Sequence, residues 1–279
     1  MADGGRQGRK IASVPPVAGP PVAGRREAAV ANPLVEYLLR LGDDRLVLGH
    51  RMSEWCGHGP ILEEDIAMAN IALDLIGQGS SLLTLAGETE GAGRDEDALA
   101  YFRGEREFRN VQLVELPPGD FAFTIVRQFL FDAYSVLQWD ALGRCAFAPL
   151  AGIAAKALKE DRYHVRHSSE WVLRLGDGTE ESHARAQAAL NELWRFTGEL
   201  FELDAVDEAV RENGIVVDGP AIQSLWSQTV GDTIHRATLV LPPAGAFATG
   251  GRRGRHTEFL GHMLAEMQIV ARSDPGATW

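Results

Sequence analysis

Residues 150–175 read LAGIAAKALKEDRYHVRHSSEWVLRL. Leu150, Ala154, Ala157, Asp161, His164, Ser168, Trp171 and Leu175 recur there at steps of three and four, the period of one face of an α-helix. The face is apolar except at its middle, where Asp161 and His164 stand three residues apart and aim at one point. Pro149 opens the helix and Gly176, Asp177 and Gly178 close it.

The same pattern extends in both directions. Leu34, Leu38, Leu41, Leu48, Met52 and Trp55 predict a first helix, with Arg45 at the one stripe position that lacks an apolar residue, and His58, Gly59 and Pro60 break it. A second helix over about 62–85 carries two stripes: Leu62, Ile66, Ala69, Leu73, Ile76, Ser80 and Leu83 on one, and Ile71, Leu75, Gln78, Leu82 and Leu85 on the other. Two stripes predict burial around much of its circumference. A polar, Gly-rich connection over 86–120 follows, with a short helix expected near 98–108. Asp120 then N-caps a third helix with Ala122, Ile125, Phe129, Asp132, Val136, Trp139 and Gly143 on its inner line. Beyond residue 175, helices are expected over about 180–202, 220–239 and 257–272. Strand alternation and 20–50-residue repeats are absent from the sequence. The fold class is therefore all-α: four long helices, a long crossover between the second and third, and additional C-terminal helices.

Composition narrows the function classes. With 279 residues, 45% of them apolar, the chain can bury a full core in one main domain over 33–279. Residues 1–32, with Pro15, Pro16, Pro20 and Pro21 among glycines and alanines, read as a disordered tail. A formal charge of -12 argues against a nucleic-acid partner. No apolar run is long enough for a membrane span, so a cytoplasmic protein is expected. Two cysteines, Cys56 and Cys145, are too few for a disulfide framework or a thiolate zinc site and read as reduced core residues.

Each of the four main stripes thus carries a polar residue at an interior position: Arg45, Gln78, Asp132, and the Asp161–His164 pair. Carboxylate-bridged di-iron bundles take a Glu from each of two helices and a Glu-x-x-His from each of the other two. Here the fourth helix offers an acidic-x-x-His unit and the third a lone carboxylate, but the second has Leu75 and Gln78 where such a unit belongs, and the first has Arg45. A single Asp in a helix more often accepts local hydrogen bonds than binds a metal, and a single His is more often a satisfied core residue. The recurrence on all four helices points to a degenerate site. If Arg45 faces Asp132 and Asp161, its guanidinium supplies the positive charge that metal would have brought.

Several segments carry a family resemblance: 39–43 (LRLGD), 54–58 (EWCGH), 69–71 with 73–75 (ANI, LDL), Lys159-Glu160 with Tyr163-His164, 193–197 (LWRFT), and the end segment from His256 through 263–268 (MLAEMQ) to Pro275-Gly276 and Trp279. In their order the chain resembles, from about Pro33 onward, the family of non-catalytic C subunits of phenylacetyl-CoA epoxidase. The resemblance implies a ferritin-like four-helix bundle that lacks its own iron. It implies a complex that uses NADPH and O2 to add one oxygen atom across the ring of phenylacetyl-CoA during phenylacetate breakdown. Iron and substrate are expected in the catalytic A subunit, with which a chain of this kind pairs before further subunits join. Carrying the catalytic subunit's ligand pattern onto this chain puts Arg45, Leu75, Gln78, Asp132, Asp161 and His164 at the ligand positions, so no catalytic residue, metal or cofactor is expected here.

Two competing readings stand beside this one. The first is a stand-alone ferritin-like oxidase or oxygenase that holds one metal through Asp132, Asp161 and His164. The second, a storage or scaffold protein unconnected with aromatic degradation, fits the periodicity but not the segments. The arginines of 250–255 read as a solvated loop, the other reading being contact with a CoA phosphate or an acidic partner.

Overall fold

The Asn32 side chain accepts hydrogen bonds from the amides of Leu34 and Val35, and Pro33 at the first helical position fixes the entry of α1 (Pro33–Ser53). The computed structural model describes residue 1, residues 32–243 and residues 245–277. Apart from its two end residues, the tail expected over 1–32 lies outside them. After the break at Gly57–Pro60 the chain returns as α2 (Leu62–Glu90), which stops at Gly91 in the left-handed conformation.

α1 and α2 pack antiparallel and unusually close. A Cβ on Gly42 would meet Leu83, one on Gly49 would meet Ile76, and one on Gly79 would fall 3.1 Å from the Leu46 amide nitrogen. The connection that follows is folded onto the bundle, not laid over solvent. It contains α3 (Glu96–Tyr101) and α4 (Gln112–Glu115), and buries Phe108, Val111, Leu113 and Val114 completely.

α5 (Phe121–Leu142) starts at Asp120, whose carboxylate accepts from the Phe123 amide at 2.8 Å, as its sequence predicts. α6 (Ala148–Gly176) folds back along it. α6 also runs antiparallel to α2, with His167 against Glu64 at one end of the contact and Gln78 against Glu160 at the other. These four helices form the bundle, and no strand occurs among the described residues.

α7 (Glu180–Leu193) is shorter than its apolar line predicts. The chain passes into tight turns at Trp194–Phe196 and Gly198–Phe201, and Gly198 sits against the Phe247 ring. α8 (Ala205–Ala209), α9 (Gly219–Arg236), α10 (Glu258–Met267) and α11 (Ile269–Ser273) complete the fold. Trp226 of α9 locks onto α5 by donating to the Leu130 carbonyl at 2.9 Å. The cysteines are not core residues: Cys56 is exposed and Cys145 half-buried.

One stripe of α2 also departs from expectation. Leu62, Ile66 and Leu73 remain 70%, 53% and 67% exposed, so the helix is buried on only part of its circumference. By length and composition alone α2 would also pass as a membrane-crossing helix, yet here it is a member of the bundle, held between α1 and α6.

Candidate functional site

All six residues singled out from the four stripes are buried: Arg45, Leu75, Gln78, Asp132, Asp161 and His164 lie within the bundle formed by α1, α2, α5 and α6. Their depth is what the sequence spacing predicts. Their pairing differs.

Asp161 is held by Gln78, whose Nε2 donates to its Oδ1 at 2.8 Å and also reaches Glu160 at 3.1 Å. His164, one turn on, places Nδ1 3.4 Å from the same Asp161 oxygen and Nε2 3.1 Å from Asp74. Burial by itself would depress the imidazole's affinity for protons. Its contacts with Asp161 and Asp74, together with the charge of Asp132, outweigh that and hold His164 up at about 10. His164 is therefore the imidazolium of this site at neutral pH. Burial pushes Asp161 up in turn, but the adjoining His164 and the charge of Arg45 more than reverse this and keep it ionised below the usual carboxylate range.

Asp132 stands on the opposite wall. Gln128 donates to its Oδ1 at 2.6 Å and the Ser168 hydroxyl to its Oδ2 at 2.8 Å, so both oxygens are occupied by side chains from α5 and α6. Burial dominates over the charge of His164 and raises its pKa to about 7.

Arg45 does not pair with Asp132 or Asp161, contrary to what its stripe position predicts. Its Nη2 donates to Ser135 at 2.9 Å and Gln138 at 2.7 Å, its Nη1 lies 3.6 Å from Asp44, and its guanidinium stacks 4.4 Å from the Trp139 ring centroid. The reason is geometric: the aromatic face of Trp139 and the acid one residue before it on α1 capture the guanidinium before it reaches α6. The cation placed directly between the acids is His164, and Arg45 acts on Asp161 only through space.

The donor chemistry does not suit a pair of irons. A guanidinium, a leucine side chain and an amide occupy Arg45, Leu75 and Gln78, and none of these is an anionic or imidazole ligand.

A second buried charge network flanks α1 and was not legible in its apolar stripe. Asp43 pairs with Arg103 and accepts from the Arg109 amide at 2.8 Å. Asp44 accepts from Arg252 at 2.8 Å and from the Val111 amide at 2.8 Å. Arg252 thus corrects the reading of 250–255 as a solvated loop at one of its arginines: its side chain, 10% exposed, packs against α1 while Arg253 and Arg255 stay exposed, and Glu199 fastens the same loop through the amides of Gly250 and Gly251, each at 2.7 Å. His256 and the Thr257 amide meet at Glu115. The signal for these contacts is the run Asp43-Asp44-Arg45 set between Leu41 and Leu46 on the helix, since buried charges require partners. Asp74 was likewise visible only as an acid within the apolar run from Ile71 to Leu75.

The chain is 51% identical over 248 residues to the C subunit of 1,2-phenylacetyl-CoA epoxidase from Escherichia coli (strain K12), covering 89% of this chain and 100% of that protein. It is 26% identical over 140 residues to the A subunit of 1,2-phenylacetyl-CoA epoxidase from the same organism, covering 50% of this chain and 44% of the relative. The family model described as phenylacetic acid catabolic protein matches residues 23–279. The continuous match to the first of these relatives and the match to this model lead to one assignment: the chain belongs to the phenylacetic acid catabolic protein family.

Proposed function

We propose that this chain is the non-catalytic structural subunit of a cytoplasmic, multicomponent di-iron monooxygenase that epoxidises the ring of phenylacetyl-CoA, where it stabilises the catalytic A subunit and meets the further subunits. The similarity to the C subunit of the E. coli epoxidase along that protein's whole length supports the reading. The observation that carries it is Leu75, fully buried beside the Gln78–Asp161–His164 contact, at a position where a metal pair needs an acidic ligand. Iron and substrate belong to the catalytic partner. The chain's own residues keep the bundle closed by internal charge pairing, which a metal-bearing homologue obtains from its irons.

Co-expression tests this. The catalytic partner is assayed with the reductase, NADPH, O2 and phenylacetyl-CoA, with and without this chain. A soluble, active partner only in the chain's presence is the expected result. O2-dependent turnover by this chain when it is alone would favour the single-metal oxygenase through Asp132, Asp161 and His164 instead.

A further inference from the structure

We infer that the outer face of α2 is the seam on which the catalytic partner of the epoxidase docks, helix against helix; this rests on the reading proposed above. Leu62, Ile66, Ala69 and Leu73 follow one another by steps of four and three, and Ile76, next in line, packs against Gly49 of α1. That is the 3.5-residue spacing of a seam that interlocks with a second helix at a shallow crossing angle. Among the described residues the seam has no partner over its first half: Leu62, Ile66 and Leu73 are exposed, and Ile61 continues them at 52% exposure. Together they present roughly 500 Å² of apolar surface, at the upper end of what a lone chain carries and more than half of one side of a standard interface.

Gly77 gives an independent indication. It lies in mid-helix on the same face, exposed, and a Cβ there would meet nothing within 4 Å. Glycine at such a position makes a helix less stable than alanine would, and nothing among the described residues requires it. A backbone approaching from outside does require it, as Gly79 admits α1 to another side of the same helix.

The occupant is a helical bundle of the same descent. The chain shares 140 residues with the A subunit of the E. coli epoxidase at 26% identity, so a partner of that kind brings a related bundle that can meet this one helix to helix. A bilayer is the wrong partner for this surface: Glu63, Asp65 and Asp74 flank the seam, and the chain carries a net charge of -12, which anionic lipid repels.

The test measures capture of the tagged cognate catalytic partner by the full chain, with light scattering for stoichiometry and circular dichroism for folding. Ile66→Glu with Leu73→Glu is expected to lower affinity more than 100-fold at unchanged helicity, whereas Leu225→Glu, at an exposed site on α9, leaves it intact. Gly77→Ala is expected to raise the melting temperature of the isolated chain while weakening capture, a combination that a purely internal role for Gly77 cannot give. Undiminished capture by the double variant and by Gly77→Ala would overturn the seam and leave the proposed function standing. No capture by the wild type would overturn both. Loss of self-association, or of binding to phosphatidylglycerol vesicles, with capture of the catalytic partner unchanged would overturn the seam by assigning the face to a second copy or to a membrane.

Discussion

His164 lies between two acids, its Nε2 3.1 Å from Asp74 on the outer side of α2 and its Nδ1 3.4 Å from Asp161 at the centre of the bundle, so one imidazole joins the edge of the fold to its interior. That position ties its protonation to stability. Its folded pKa, about 10, lies above the unfolded value of about 6.5. The stabilisation is therefore complete below the unfolded value and disappears as pH rises through the folded one. Chemical denaturation at intervals from pH 6 to 10.5 should show the wild type losing up to about 4 kcal/mol more than His164→Gln over this range. Parallel profiles for the two proteins would contradict the assignment of His164 as the cation.

Asp132 behaves in the opposite sense. Its pKa is raised to about 7, above the unfolded carboxylate, so the folded state binds the extra proton and stability falls as pH rises between about 4 and 7. Asp132→Asn removes that slope. Relative to wild type, the variant should gain up to about 1.4 kcal/mol for each pH unit across that window, read from melting curves.

Arg252 and Asp44 are joined over 208 positions of sequence, and their contact closes the C-terminal loop onto α1. Asp44 is fully buried, so Arg252→Ala leaves its carboxylate with only the longer Arg45 contact at 3.6 Å and should cost up to roughly 3–5 kcal/mol in urea denaturation. Asp44→Asn combined with Arg252→Met should recover a large part of that loss, because the penalty comes from the unpaired charge and not from the absence of the pair.

Arg45 provides the contrast. Asp132 and Asp161 have their own partners, so Arg45→Met, which keeps a thioether contact with the Trp139 ring in place of the cation, should cost less than His164→Ala, whose penalty is about 3–5 kcal/mol. A larger loss for Arg45→Met would restore Arg45 to the centre of the cluster.

Helical period and breakers make the four main helices legible, because each has to bury one face and ends at Gly or Pro. The depth of Asp132, Asp161 and His164 follows from the same periodicity. The direction of Arg45 does not, since a long side chain chooses among acids and aromatic rings that meet only in the fold: Asp44 lies beside it in sequence, whereas Ser135, Gln138 and Trp139 come from another helix. The connection over 86–120 reads only as a polar link as long as it is taken without its distant partners, Asp43, Asp44 and Glu199. The exposed half of α2 escapes a sequence reading for a related reason: periodicity marks a face as apolar and does not say whether the same chain covers it.

On the proposed reading, side chains of this bundle, with His164 as the cation, do internally what a metal pair does in a catalytic relative. The sharpest check is iron stoichiometry by plasma mass spectrometry, on the chain purified alone after expression in iron-replete medium. Iron far below one atom per chain, unchanged in His164→Ala, is the expected outcome. One or two tightly held irons per chain, lost in that variant, would refute the substitution of charge for metal.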